Sequence, residues 1–370
     1  MKVLLLGGGT GGHLYPLLNV TKKFKELKGN RVEFLYIGPK NRFSKQILED
    51  NGIKVKGIFT AKWRRYFSLR NFLDIFLFPL GFFQSLVHVL FFMPDVVFSK
   101  GGYGSVAPTI AARLYWIPIL IHESDTVPGM ANRFMASLAD KVAIYFEGTK
   151  EYFRAKKVFL VGNPVREDIN QGNVQRAVEI FKLHGNKPVV FVIGGSQGSQ
   201  FINEQIIKIL PGLLQKYQII HQIGENNFKH LKEFADKRKV DLNQSDYHPF
   251  EYLGQEIIHA YKICNLIVSR AGATTIAEIA AVGRPSILVP LAGGANNHQL
   301  ENAYYVGKSG GAFVMEERNF QGDLLLHKID QILSSDYLCQ KLSASIRNLY
   351  YPNASDKIVE ALLYLSKEVK

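Results

Sequence analysis

Two glycine-rich segments of the sequence could bind phosphate groups. Each follows a short apolar run, the first over residues 7–12 and the second over residues 194–199. Glycines at such a turn let backbone N–H groups approach a phosphate at a helix N-terminus. The first segment has the Gly-x-Gly-x-x-Gly spacing of a dinucleotide fingerprint, but the second apolar run ends at residues 35–39 without the acidic residue that a dehydrogenase needs. No Gly-Lys-Ser/Thr follows either, which excludes the phosphate-binding loop of a nucleoside triphosphatase. The pattern therefore favours two phosphate-binding turns of another kind.

Two further segments carry groups that suit a nucleotide sugar. In residues 269–278, small residues precede two threonines, and Glu278 one turn later could accept two ribose hydroxyls. Residues 296–299, Asn-Asn-His-Gln, place amide and imidazole groups at another predicted helix start. Each has a structural alternative, namely a solvated helix glutamate for Glu278 and a helix cap for the asparagines.

These segments belong to two similar halves in which short apolar runs alternate with amphipathic stretches. That alternation is typical of parallel sheets covered by helices. Ligands of such sheets bind at the carboxyl ends of the strands, so the two halves are expected to face a central cleft. The predicted strands are 2–6, 31–37, 53–58, 95–99, 117–122, 141–145 and 157–161, then 188–193, 217–222, 264–268, 286–290 and 311–315. The predicted helices are 13–28, 41–51, 69–92, 104–115 and 128–138, then 199–214, 254–262, 272–281 and 296–307.

The composition is that of a globular protein with an uneven charge. Of 370 residues, 47% are hydrophobic and 21% are charged. Residues 1–163 contain 23 Lys/Arg against 11 Asp/Glu, a net +12, whereas residues 164–370 contain 22 against 21, a net +1. The basic first half suggests contact with an anionic membrane or another polyanion. Two distant cysteines offer neither a disulfide framework nor a metal site and fit a reducing compartment.

Seven motifs in this order closely resemble the bacterial MurG family, the peptidoglycan N-acetylglucosaminyltransferases. They are residues 8–13, 101–103, 122–123, 161–166, 194–198, 221–224 and 270–278. The resemblance implies a GT-B fold of two Rossmann-like, doubly wound α/β domains. It implies an acceptor and membrane-facing domain over 1–163, a UDP-sugar donor domain over 164–345, and a C-terminal helix in 346–370 that packs back on the first domain.

The same resemblance implies the reaction and its partners. N-acetylglucosamine would move, with inversion, from UDP-GlcNAc to the muramoyl sugar of a pentapeptide-bearing undecaprenyl diphosphate lipid. The enzyme would be peripheral, on the cytoplasmic face of the cell membrane, with no nucleic-acid partner. No metal is required, although a divalent ion is compatible with the sequence. A related transferase with another lipid acceptor, such as diacylglycerol, is the alternative, and a non-catalytic lipid-carrier-binding protein is a third.

An inverting transfer needs a base near the acceptor hydroxyl, and the candidates are His13 and Glu123. His13 is a neutral imidazole on the first glycine-rich turn and is the natural base, and Glu123 would orient or replace it. A histidine that caps or packs against the first helix is the alternative for His13. By position in the motifs, the resemblance also assigns the donor site. The stretch 250–261 is longer than the family pattern, which makes the uracil contact a guess. The donor-binding residues are Thr10, Gly11, Gly12, Asp125, Arg166, Ser196, Leu253, Arg270, Ala273, Thr274, Thr275, Ile276, Ala277, Glu278, His298 and Gln299. The chain departs from the family at Asp125, where an asparagine is usual and where an ionised carboxylate cannot donate a hydrogen bond.

The apolar stretch over residues 72–93 approaches the length of a membrane span. Polar residues and a proline interrupt it, and the α/β alternation needs a covering helix here, so we expect a helix that partly covers the core and partly docks on lipid. A fully buried helix or a protein interface is the alternative. The predicted membrane contacts are Arg64, Arg65, Arg70, Phe72, Ile75, Phe76, Phe82 and Phe83.

Overall fold

The computed structural model describes residues 1–9, 11–61, 69–293 and 297–368. The chain forms two compact units. The first comprises Met1–Arg166 and Tyr351–Lys370, and the second comprises Glu167–Tyr350.

The first unit is built on a parallel sheet. In the described ranges its strand order is β3-β2-β1-β4-β5-β6-β7, which is the order of a doubly wound nucleotide-binding fold. The strands are β1 (Lys2–Leu6), β2 (Glu33–Pro39), β3 (Lys54–Ile58), β4 (Val96–Ser99), β5 (Ile119–Glu123), β6 (Lys141–Ile144) and β7 (Val158–Leu160). The helices between them are α1 (Gly11–Lys28), α2 (Arg42–Asp50), α3 (Leu69–Phe92), α4 (Val106–Leu114) and α5 (Met130–Leu138).

The second unit repeats this plan with strand order β10-β9-β8-β11-β12-β13. Its strands are β8 (Val189–Ile193), β9 (Gln218–Gln222), β10 (Tyr247–Phe250), β11 (Leu266–Ser269), β12 (Ser286–Leu288) and β13 (Phe313–Val314). Its helices are α6 (Val174–Phe181), α7 (Gln200–Leu214), α8 (Phe228–Lys237), α9 (Ile257–Ile263), α10 (Ala273–Val282), α11 (His298–Lys308), α12 (Gly322–Leu333) and α13 (Asp336–Arg347). Strand β10 was not predicted from the sequence. It contains Pro249, which lacks a donor for the ladder and is tolerated because β10 is an edge strand.

The last helix, α14 (Ala354–Glu368), belongs to the first unit. Its buried face, with Ile358, Val359 and Leu362, joins the apolar cluster that α1 makes with one face of the first sheet. The opposite face of that sheet is covered by a second cluster that includes residues of α4 and α5. Both faces of the parallel sheet are therefore covered, as its continuous apolar strands require.

Candidate active site

The glycine-rich turn between β1 and α1 is held by side chains from the neighbouring strand and helix. The hydroxyl of Tyr36 donates to the carbonyl oxygen of Gly7 at 2.9 Å, and the carbonyl oxygen of Gly8 lies 3.2 Å from the same hydroxyl. The amide of Asn41 donates to the carbonyl oxygen of Gly9 at 3.0 Å. The carbonyl groups of the turn are thus satisfied inside the protein.

His13 lies between two glycine-rich turns of the first unit. A Cβ atom added to Gly8 would come within 2.9 Å of His13 Nδ1, and one added to Gly102 would lie 3.4 Å from His13 Nε2. Gly102 follows β4 and has φ +88°, a conformation that favours glycine. Glycine at both positions therefore leaves room for the imidazole, which is partly exposed.

Asn132 of α5 links this place to Glu123 at the end of β5. Its Oδ1 accepts from the backbone N–H of Gly102 at 3.1 Å, and its Nδ2 donates to Glu123 Oε2 at 2.7 Å. The other oxygen, Oε1, accepts from the backbone N–H of Asp125 at 2.9 Å. A chain of contacts through Gly102 and Asn132 thus connects the two predicted catalytic residues, His13 and Glu123.

The carboxyl group of Glu123 is buried and carries an unusual pKa. Burial raises the pKa of Glu123, and the neighbouring Asp125 carboxylate raises it further. The hydrogen bonds from the Asp125 backbone and the Asn132 amide act in the opposite direction. A carboxylate with a raised pKa is a stronger base than an ordinary glutamate, which is what proton removal from a hydroxyl needs.

In the second unit, the start of α10 carries the predicted nucleotide-binding residues. The side chains of Ala273, Ile276 and Ala277 are buried, so these residues offer a ligand only their backbone. Gly272 precedes the helix, and a Cβ atom added there would meet nothing within 4 Å. The helix start is therefore open to an anion, which its N–H groups and dipole favour.

Glu278 lies one turn further along α10, and its side chain is partly exposed. Its Oε2 accepts a hydrogen bond from the hydroxyl of Tyr261 on α9 at 2.9 Å. Tyr261 is fully buried and packs edge-on against Phe191 with ring centroids 5.3 Å apart. A rigid aromatic side chain thus orients the carboxylate that we expect to bind ribose.

The turn after β8 is packed against the segment that follows β10. Gln222, at the end of β9, donates from Nε2 to the carbonyl oxygen of Gly195 at 3.1 Å and accepts through Oε1 from the backbone N–H of Leu253 at 3.1 Å. Leu253 is buried, whereas Ser196 on the turn is partly exposed. Ser199 caps α7, since its hydroxyl accepts from the backbone N–H of Ile202 at 3.3 Å.

The guanidinium group of Arg270 is committed to contacts within the second unit. It forms an ion pair with Glu317 at 2.6 Å and donates to the carbonyl oxygen of Val289 at 3.1 Å. Glu317 also accepts from the backbone N–H of Ala292 at 3.2 Å. The contacts of Arg270 thus hold the backbone near Val289 and Ala292, and its predicted contact with the donor stays a prediction.

The remaining predicted residues either have few described contacts or lie outside the described residues. Gln299 on α11 accepts from the backbone N–H of Leu291 at 3.1 Å, and Arg166 is the last residue of the first unit. Thr10, Arg64 and Arg65 lie outside the described residues. Within the described ranges, no three His, Cys, Asp or Glu side chains come together as a metal site.

Comparison with known proteins identifies the family. The model of the glycosyltransferase family 28 N-terminal domain matches residues 3–144, and that of the C-terminal domain matches residues 189–350. The Clostridium tetani UDP-N-acetylglucosamine–N-acetylmuramyl-(pentapeptide) pyrophosphoryl-undecaprenol N-acetylglucosamine transferase is 35% identical over 98% of this chain and 97% of its own. The chain belongs to the MurG family. The transferase of the same name from Listeria welshimeri is 36% identical over 99% of this chain and all of its own.

Solved structures agree with this fold. The crystal structure of Acinetobacter baumannii MurG matches with a TM-score of 0.76 and 23% identity, covering 98% of this chain and 99% of that one. A Neisseria meningitidis UDP-GlcNAc 2-epimerase bound to UDP-GlcNAc matches with a TM-score of 0.72 and 15% identity, covering 98% of this chain and 100% of that one. At these identities, the likeness concerns the fold alone and does not separate a MurG-family transferase from an epimerase.

Three residues of the site had no predicted role. Asn132 is a single amide within a helix, and no spacing in the sequence marks it. Gln222 stands in one of the motifs that resemble the MurG family, which was the signal available for it. Tyr261 ends the stretch whose length departs from the family pattern, so its contact with Glu278 was visible only in the structure.

Proposed function

We propose that this protein transfers N-acetylglucosamine from UDP-GlcNAc to the muramoyl sugar of a pentapeptide-bearing undecaprenyl diphosphate lipid. The observation that carries the proposal is the 35% identity to the Clostridium tetani transferase over nearly the whole of both chains. The geometry of each unit supports it, because the first unit presents a base and the second an anion-receptive helix start beside a carboxylate.

The donor is proposed to bind the second unit. Its diphosphate would accept hydrogen bonds from the start of α10, and its ribose hydroxyls would donate to Glu278. Ser196 and Gln299 are proposed to contact the phosphates and the sugar. As the bond from the anomeric carbon to the diphosphate breaks, negative charge builds on the leaving UDP, and the helix dipole stabilises that charge.

The first unit is proposed to activate the acceptor. A base removes the proton of the attacking muramoyl hydroxyl while that oxygen bonds to the anomeric carbon from the side opposite UDP, which inverts the configuration. His13 and Glu123 are the two candidates. His13 is the more accessible, and Glu123 is the better positioned, because both of its carboxylate oxygens are fixed by hydrogen bonds.

We also propose that α3 docks on an anionic membrane as a peripheral contact at the cytoplasmic face. None of the helices in the described ranges has the length and apolar content to cross a bilayer. One side of α3 packs on the sheet through Phe82, Leu86 and Val89. The other side is an exposed apolar stripe at helical spacing, formed by Phe76, Leu80, Phe83, Val87, Leu90 and Phe91.

Further exposed apolar side chains lie at the end of α4, the helix that packs along α3. They are Leu114, the last residue of α4, and Trp116, which follows the helix. The guanidinium of Arg113 lies 5.8 Å from the centre of the Trp116 ring. An apolar stripe with a tryptophan and basic residues suits the interface of an anionic bilayer. Among the predicted contacts, Phe76 and Phe83 are exposed, whereas Phe82 faces the core; the side chains of Arg70, Phe72 and Ile75 lie outside the described part.

The transfer is tested with labelled UDP-GlcNAc and the lipid-linked muramoyl pentapeptide, with diacylglycerol as a second acceptor. We expect label in the disaccharide lipid and none in a glycolipid. Transfer only to diacylglycerol would establish the alternative acceptor class, and UDP binding without transfer to either would contradict the proposal. We expect the reaction to proceed in excess EDTA, because helix N-terminal groups can neutralise the diphosphate without a metal.

A further inference from the structure

A lysine ammonium group is buried near Glu123, one of the two candidate bases. Lys100 directly follows β4, is only 2% exposed, and its Nζ has no hydrogen-bond partner among the described residues. A charged ammonium group that is removed from water without a partner is strongly disfavoured. Lysine is therefore retained at this position either for a partner charge or for a role that an apolar residue cannot perform.

The partner charges lie on the neighbouring strand and its loop. Strand β4 pairs with β5 so that Ser99 is opposite Ile121, which places Lys100 beside His122 and close to Glu123. The carboxylates of Glu123 and Asp125 both favour the charged form of Lys100, although burial dominates and lowers the pKa of this lysine. Two carboxylates, one of them fully buried, thus share one internal cation.

Lys100 acts on Glu123 through its charge, because the hydrogen bonds of Glu123 are made with other groups. Both oxygens of Glu123 already accept hydrogen bonds, from Asn132 and from the Asp125 backbone. His122 Nε2 lies 2.8 Å from the Gly162 carbonyl oxygen, and burial together with Lys100 holds the pKa of His122 well below its usual range. His122 is therefore neutral and adds no competing cation.

We propose that Lys100 is a positioning residue: a buried countercharge that keeps Glu123 ionised beside Asp125 at neutral pH, and so available as the base. The proposal rests on the transfer reaction proposed above. Within the described residues, the titratable groups that act on Glu123 are Lys100, directly after β4, and Asp125, in the loop after β5, while His122 precedes Glu123 on β5. Helix α5 contributes the amide of Asn132, and His13 of α1 lies next to Gly102.

The test is a double-mutant cycle of Lys100→Met and Asp125→Asn, read as the pH profile of kcat/KM. Removing the cation should move the acidic limb up by about 1–3 pH units, and so cut transfer at neutral pH by about tenfold per unit. Removing the second carboxylate should move the limb down, and the double variant should return towards the parent. Lys100→Gln, which keeps a donor but no charge, should match Lys100→Met. Lys54→Met, which changes an exposed lysine on β3, is the control and should match the parent.

An unchanged acidic limb in Lys100→Met or Lys100→Gln would overturn the proposal, as would shifts of the same sign in Lys100→Met and Asp125→Asn. Lys100→Met leaves the buried Glu123 carboxylate without its countercharge, so we expect a lower melting temperature at neutral pH, and the profiles are measured at a temperature at which each variant is folded.

A second readout needs no substrate. Carboxyl 13C signals of labelled glutamate, with Glu123→Gln identifying the signal of Glu123, should titrate at higher pH in Lys100→Met than in the parent. Failure of the parent to transfer to the lipid acceptor would reject the proposed function, while this titration would still decide the role of Lys100.

Discussion

Glu278 should set the affinity of this protein for UDP, and the structure lets that effect be divided into charge and orientation. An ionised carboxylate that accepts two ribose hydroxyls makes charge-assisted hydrogen bonds, each contributing about 1.5–3 kcal/mol. Part of this is already offset in the free protein, where Glu278 Oε2 accepts from Tyr261 and the partly exposed carboxylate is hydrated. We therefore expect Glu278→Ala to weaken UDP binding by roughly ten- to a hundredfold.

Tyr261→Phe isolates orientation. The ring keeps its edge-on packing against Phe191, and only the hydroxyl that fixes Glu278 is lost. One hydrogen bond of this kind contributes about 0.5–1.5 kcal/mol, so we expect UDP to bind about two- to tenfold more weakly, with the carboxylate still present. Glu278→Gln keeps the shape of the side chain without its charge, and its affinity for UDP should lie between those of Tyr261→Phe and Glu278→Ala.

The measurement is isothermal titration calorimetry with UDP and with 2′-deoxy-UDP, on variants whose thermal unfolding matches the parent. In the parent, loss of one hydroxyl should weaken binding by about tenfold, because Glu278 loses a partner. In Glu278→Ala, the two nucleotides should bind equally. The reasoning is refuted by unchanged UDP affinity in folded Glu278→Ala, or by the same 2′-deoxy penalty with and without the carboxylate.

Three further changes test the first unit. His13→Ala should lower kcat by about a hundred- to ten-thousandfold with little change in UDP affinity; near-normal turnover would leave Glu123 as the base. Gly101→Ala puts a Cβ atom against Asn132 Oδ1 at φ +86° and should lower the free energy of unfolding by more than about 1 kcal/mol. Gly148→Ala, with open space around it, should change the free energy of unfolding little, and urea titrations measure both. Replacing Phe83 and Phe91 by serine should reduce binding to anionic vesicles at least about tenfold in sedimentation assays, while the exposed Tyr337→Ser of the second unit should not; equal loss in both would place the membrane contact elsewhere.

The sheets were largely predictable from the sequence because buried parallel strands read as apolar runs bounded by turns. Strand β1 was predicted over 2–6 and is observed there, and α3 was predicted over 69–92 with the observed bounds. The edge strand β10 escaped notice because Pro249 interrupts its apolar pattern, although an edge strand can accommodate it.

Contacts between distant side chains were not predictable in this way. The sequence marks Glu123 and Glu278 as polar residues beside apolar runs, but nothing in it pairs them with Asn132 or Tyr261. Arg270 stands in a motif and was expected to contact the donor. The sequence did not reveal its ion pair with Glu317, because Glu317 lies more than forty residues away. Such pairings depend on how the chain folds rather than on local spacing.

The return of α14 to the first unit affects the order in which the protein is made. A ribosome adds about 5–20 residues per second, so residues 167–350 occupy it for roughly 10–40 s after the last strand of the first sheet is complete. During that interval, the sheet face that later receives Ile358, Val359 and Leu362 has no partner helix from α14. The nascent first unit thus exposes an apolar surface until synthesis ends. Chains that stop before residue 354 would present that surface permanently to chaperones and proteases.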